Sequence, residues 1–229
     1  MKVLAVGAHP DDIEIFMYGL LSIYKKLGNE VYTMIVTDGS KGGSFSGEIL
    51  ARKRSKEAID GLKELSPPIF LNLPDGELGA ELDHRKIIKE NILKIMPDLV
   101  ITHSKNDYHS DHVSLSIIIE RGVSHYIPVL YCDTLMGINF NPNYYIDITD
   151  HYESKKKAIL KHKSQKPKRF VELFKLMNSY RAAQCNAPIG FFAEAYSFTP
   201  SFPFSDIRNI LPSPLELRPF HIENQHGFL

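Results

Sequence analysis

The sequence predicts an α/β fold in which a mostly parallel β-sheet carries helices on both faces. Three observations predict it. Short apolar runs recur from Val3 to Asp133, and stretches with three- and four-residue apolar spacing separate them. The runs are continuous rather than alternating, as in strands buried on both faces, which is the habit of parallel sheets. Glycine, proline or polar turn residues close most of the runs. A chain of 229 residues is also long enough to bury a core of this kind.

Each element follows in order. Residues 2–7 read as a strand ended by Gly7. Residues 11–27 read as a helix, with Ile13, Met17, Leu20, Leu21, Tyr24 and Leu27 on one face and Gly28 as its stop. Val31 to Val36 is a second strand, and the glycine- and serine-rich segment 37–48 is a loop. Helical spacing returns over 49–65, "IFLNL" (69–73) is a third strand, and "PDGELG" is turn chemistry. A helix over 83–95 stops before Pro97, and "DLVITHS" (98–104) is a fourth strand. "VSLSIIIERG" is helical, and "PVLYCD" is a fifth strand. Helical patterns over 151–165 and 170–183 follow. From Ser197 onward, prolines at 200, 203, 212, 214 and 219 speak against regular structure. The expected organisation is one domain over 1–198 and an irregular, phenylalanine-bearing tail over 199–229. That tail packs on the domain or on a neighbouring subunit, so a homo-oligomer is expected.

Composition narrows the function. Twenty-seven basic residues balance twenty-seven acidic ones, so the global field that attracts nucleic acid or acidic membranes is missing. The basic run 155–169 reads as a solvated helix face, because aromatic residues do not interleave it. Cys132 and Cys185 form no CxxC pair, which argues against a disulfide framework or a cysteine zinc site. No apolar run reaches membrane length, and the chain starts directly on a strand pattern without a signal-peptide core. A cytoplasmic location is expected.

Two clusters carry the chemistry. His9, Pro10, Asp11 and Asp12 follow the first strand, and His103, Asp107, His109, Asp111 and His112 follow the fourth. Ligands of open α/β sheets collect beyond the carboxyl ends of strands, so both clusters point to one crevice. An aspartate at a helix start explains itself as a cap, but a histidine there does not. Imidazoles and carboxylates together suit a divalent metal, zinc or iron and related ions, with positions left open for water and substrate. Nucleophilic alternatives are weak: there is no GxSxG elbow, no GxGxxG fingerprint and no Walker loop.

"AHPDDIE" (8–14) together with "HSDH" (109–112) resembles the LmbE-like, or PIG-L-like, deacetylase family. "TDGSKGG" (37–43), "RSKEA" (54–58), "KAILKHKSQ" (157–165) and "GFFAEAY" (190–196) resemble further segments of that family, so the likeness spans about 1–198. The resemblance implies a Rossmann-like three-layer fold and a zinc-dependent N-deacetylase acting on an N-acetylglucosamine-type sugar, with Fe2+ or another divalent metal as the alternative. By motif position it implies His9, Asp12 and His112 as metal ligands and Asp11 as general base. His109 would stabilise the oxyanion or donate a proton, oriented by Asp111, and Arg54 would contact substrate. Lys41 and Tyr108 join Arg54 as expected substrate contacts, with an anionic or polar group at the anomeric end of a soluble N-acetylated amino sugar. Glu14 is expected to brace the loop. For His103, Asp107, His162 and Gln165 the sequence leaves site, interface and plain structural roles open. The competing reading is a metal-retaining carbohydrate-binding protein without turnover, against which the intact Asp11 argues.

Overall fold

A computed structural model describes residues 1–43, 47–79 and 82–218. Seven strands form one sheet: β1 (Lys2–Gly7), β2 (Glu30–Thr37), β3 (Ile69–Leu73), β4 (Leu99–Thr102), β5 (Val129–Cys132), β6 (Tyr144–Asp147) and β7 (Ala193–Phe198). Their spatial order is β3-β2-β1-β4-β5-β7-β6. The first five strands run parallel, with Val3 beside Val31 on one side and Leu99 on the other. β7 is antiparallel to both β5 and β6. The chain winds outward from β1 in both directions, so the topological switch lies between β1 and β4.

Helices cover both faces, as the continuous apolar strands require. Val3 and Ala5 face a core shared with α1 (Asp12–Phe16), α2 (Tyr18–Lys26), α3 (Glu48–Leu62), α6 (Tyr152–Ile159) and α7 (Pro167–Gln184). Leu4 and Val6 face the opposite core, with α4 (Leu82–Ile95) and α5 (Ser110–Val123). Alternate residues of one strand thus serve two cores, the period-two geometry of a strand.

Three differences from the expectation have physical causes. The helix expected over 11–27 breaks at Met17, and the new helix start exposes the Gly19 and Leu20 amides. The buried Glu194 carboxylate accepts both, at 2.9 and 2.8 Å, and also meets Lys155 Nζ and the Tyr196 hydroxyl at 2.7 Å. β6 and β7 are not in the sequence-based expectation, and β7 extends through Ser197 and Phe198. The tail as far as Arg218 lies on its own chain: Leu215 packs with Ala182 and Ala193, and Tyr24 donates to Ile210 O at 2.8 Å. Residues 219–229 lie outside the described residues. No described helix is long and apolar enough to cross a membrane.

Candidate metal centre

The switch point puts the ends of β1 and β4 side by side, and both clusters meet there. Gly7 at the end of β1 lets α1 approach closely, because a Cβ there would stand 3.1 Å from Asp12 Cβ and from the Ile13 side chain. The chain then turns sharply into α1, and Asp11 takes up φ 141°, a conformation that costs energy in any residue but glycine. Arg54 holds this turn. Its guanidinium donates to Pro10 O (3.1 Å), Gly39 O (3.1 Å) and Asp11 Oδ1 (3.0 Å), and the side chain is almost wholly buried. Beyond β4, Asp107 accepts the His109 amide, and His109 stands at the N-cap of α5 with Nδ1 accepting the Asp111 amide.

The donor atoms converge. His9 Nδ1 lies 3.3 Å from His112 Nε2 and 3.3 Å from Asp12 Oδ2, and His112 Nε2 lies 3.3 Å from Asp12 Oδ1. A tetrahedral ion with bonds of about 2.0–2.1 Å separates its ligand atoms by about 3.3–3.4 Å. The outer nitrogens are committed: His9 Nε2 faces Asp75 Oδ1 and Asp111 Oδ2 at 3.2 Å each, and His112 Nδ1 faces Asp107 Oδ2 at 3.0 Å. A carboxylate on the far nitrogen fixes the tautomer and turns the other lone pair inward, which is how metal-ligating histidines are held. Asp12 is oriented likewise, with Oδ2 accepting the His9 amide at 2.7 Å and meeting His103 Nε2 at 3.0 Å. Three overlapping donor groups lie within 4.8 Å: His9, His109 and His112; Asp12, His103 and His112; His9, Asp75 and Asp111. His9 and His112 each belong to two of these groups and Asp12 to one, and the residues fit a divalent metal.

Electrostatics point the same way. Burial alone would lower the His112 imidazole, but Asp12 and then Asp107 push it up to about 9. Burial opposes charge on His9 too, and Asp12, Asp111 and Asp75 overcome it and raise that ring well above its usual range. Asp12 is held well below the carboxylate range despite its burial, by His112, His103 and His9. The surrounding carboxylates create a demand for positive charge between His9 and His112, which a divalent cation meets. Asp11 behaves differently: burial pushes it up, while Arg54 draws it back. His103 is pulled down to about 4, by burial first and by the positive charge of His112 second; the two rings stack with centroids 3.7 Å apart.

The cleft above these residues has a volume of about 310 Å³ and is lined by Asp11, His109, Tyr108, Lys41 and Arg54 among others, so most expected site residues come together. Two of them have partners other than those expected. Asp111 meets the His109 ring through its backbone amide and not through its carboxylate. Its carboxylate accepts the Gly76 and Leu78 amides at 2.7 and 3.2 Å and braces His9, because the first turn of α5 aims it at the loop after β3. Arg54 lines the cleft but is tied within it: one terminal nitrogen donates to Gly39 O in the loop after β2, and the other to Pro10 O and Asp11 Oδ1 in the turn after β1. Lys41 sits at the rim, with Nζ 2.8 Å from Glu77 Oε1. Tyr108 is 69% exposed and stands edge-on to His109. His103 and Asp107 belong to the centre, and Gln165 lines the cleft and donates to Gly42 O at 2.6 Å. His162 instead pairs with the buried Glu14 at 2.7 Å behind Asp11, which gives Glu14 its bracing role. The sequence reading missed Asp75, Leu135 and Phe170 as cleft residues. Asp75 carried a usable signal, as an acid in the loop just beyond the carboxyl end of β3, one of the parallel strands.

Comparison with known proteins agrees with this geometry. The PIG-L family, described as GlcNAc-PI de-N-acetylase, matches residues 4–121. Diacetylchitobiose deacetylase of Thermococcus kodakarensis is 31% identical over 198 residues, covering 76% of this chain and 73% of that protein. The solved N,N′-diacetylchitobiose deacetylase of Pyrococcus horikoshii, complexed with its inhibitor MPG, superposes with TM-score 0.75 at 27% identity, over 86% of this chain and 83% of that one. A 4-carboxy-2-hydroxymuconate hydratase from Pseudomonas putida superposes with TM-score 0.74 at 20% identity, over 86% and 95% of the two chains, a likeness of fold alone. With the family match spanning both histidine motifs, and a relative of this identity aligned over most of both chains, the chain belongs to the PIG-L family.

Proposed function

We propose that the chain is a metal-dependent N-deacetylase, with zinc as the ion, that hydrolyses the acetamide of an N-acetylated amino sugar. The observation that carries this reading is the convergence of His9, Asp12 and His112 at 3.3 Å, each histidine held from behind by carboxylate, beside a buried Asp11. The relatives named above as diacetylchitobiose deacetylases support the acetamide and the sugar. His9, Asp12 and His112 would hold the metal. When bound, such an ion supplies Lewis acidity and brings the pKa of water from 15.7 to about 7.

The chain's own residues supply the rest. Arg54 occupies one oxygen of Asp11, and the other, Oδ2, has no hydrogen-bond partner among the described residues. That oxygen takes a proton from the attacking water and returns it to the departing nitrogen as the C–N bond breaks, giving acetate and a free amine. Because His109 Nδ1 accepts the Asp111 amide, the neutral ring carries its proton on Nε2, and it lines the same cleft. It can therefore donate to the oxygen that becomes negative in the tetrahedral intermediate. At the cleft wall Tyr108 offers an aromatic face to the C–H side of a sugar ring, and Gln165, whose Nε2 donates to Gly42 O, offers its Oε1 to a sugar hydroxyl. Arg54 is tied to Asp11, Pro10 and Gly39, and Lys41 stands in an exposed rim pair with Glu77, so a neutral or polar N-acetylated mono- or disaccharide is the substrate of this reading.

The test is acetate release by zinc-loaded protein from N-acetylglucosamine and diacetylchitobiose, beside a chelator-treated control. Release from either sugar that the chelator abolishes supports the reading. Tight sugar binding without acetate would favour a binding protein instead.

A further inference from the structure

A hollow of about 580 Å³ shares no lining residue with the metal-centre cleft. It lies where α2, α3 and α6 diverge. Tyr18, Leu65 and Ala158, all buried, form an apolar floor. Five lysines stand around it: Lys25, Lys63, Lys157, Lys161 and Lys163. Lys25 donates to Leu65 O at 2.7 Å and Lys63 pairs with Glu64 at 3.6 Å, so these two are tied to the rim. The other three have no carboxylate partner among the described residues, and they belong to the basic run 155–169. The structure divides that run: Lys155 is buried on Glu194, and Lys156 pairs with Glu153. Lys157, Lys161 and Lys163 turn together to one hollow.

Three lysines without a carboxylate partner among the described residues thus share one concavity with an apolar lining. We propose that this hollow binds a phosphate-bearing small molecule of nucleotide size, its phosphates on Lys157, Lys161 and Lys163 and its ring body on the Tyr18–Leu65 floor. Lysines serve phosphate as mobile point charges. The volume lies within the range of small-molecule sites, and an apolar floor with a few charged groups at one side is their usual construction. Asp60 and Glu64, on the opposite rim from α6, are placed to accept hydroxyls of the ligand's sugar. The site adjoins the catalytic scaffold: Gly61 lies in its lining, and a Cβ there would run into Glu14 Oε1 and stand 3.2 Å from His162 Nε2.

Isothermal titration calorimetry on the zinc-loaded protein tests this, with adenosine diphosphate, pyrophosphate and adenosine as probes. The diphosphate should bind more tightly than either fragment, and more weakly as salt rises. Lys157→Glu/Lys161→Glu/Lys163→Glu should weaken it at least about tenfold through reversed charge, with Lys→Ala at the same positions giving a smaller loss in the same direction. Asp12→Ala, which strips the metal centre, should leave binding intact. The proposal is overturned by no binding at millimolar nucleotide, by pyrophosphate binding as tightly as the nucleotide, or by binding that Asp12→Ala abolishes and the lysine variants keep.

Discussion

Replacing Arg54 by methionine separates two accounts of that residue. If the guanidinium grips substrate, the variant raises KM and leaves turnover and stability alone. The structure gives a different outcome. Arg54 is 3% exposed and binds Asp11 Oδ1, Pro10 O and Gly39 O. Breaking a buried ion pair from one side costs about 3–5 kcal/mol, and each buried carbonyl left unpaired costs about 1–3 kcal/mol more, though the terms do not simply add. Asp11 can relieve the cost by taking up a proton, which burial already favours. A net loss of about 3 kcal/mol is therefore expected, or about 6–12 °C in Tm for a chain of this size. Neutralised Asp11 is no longer a base, so kcat should fall by about 10²–10⁴. Arg54 lowers the Asp11 pKa, so its removal should move the acid limb of the kcat/KM profile to higher pH. Thermal unfolding and steady-state acetate release on zinc-loaded Arg54→Met measure all three. A rise in KM alone, with kcat and Tm near those of the parent, would refute this reasoning.

Three further outcomes follow from the same geometry. Asp11→Asn should keep stoichiometric metal and fold while losing about 10²–10⁴ in turnover; loss of metal in elemental analysis would make Asp11 a ligand. Asp107→Asn removes the carboxylate behind His112 and should weaken zinc about 10–100-fold in chelator competition, whereas unchanged affinity would deny that the far nitrogen matters. Without metal, the raised His112 stabilises the fold fully below its unfolded value of about 6.5, and that contribution is lost as pH rises to about 9. Zinc must displace that proton, so its affinity should climb over the same window, and a flat zinc-affinity profile from pH 6.5 to 9 would contradict the assignment.

The sequence revealed what depends on local pattern. Val3–Val6 and Leu99–Thr102 are short apolar runs with chemistry at their ends, so the parallel strands and both clusters were legible, along with their shared crevice. The antiparallel edge was not. "YYID" and "AEAYSF" mix polar and apolar residues, and Glu194 in the middle of a strand disguises it. Its carboxylate is there for the amides of α2 and for Lys155, partners far off in sequence. The break at Met17 hid because the apolar period of α2 continues that of α1. Motif position pointed to Arg54 and Asp111, but their partners come from other loops, Pro10 and Gly39 for one and Gly76 and Leu78 for the other. Motif position identifies such a residue, but only the packed chain shows which atoms it touches.

The central claim is that His9, Asp12 and His112 hold one catalytic divalent ion. Its most direct test is elemental analysis of the purified chain and of His9→Ala, Asp12→Ala and His112→Ala after equilibration with limiting zinc. The account predicts close to one zinc per parent chain and little in any of the three variants, each of which lacks one of three mutually adjacent donors. Stoichiometric zinc in all three variants would contradict it.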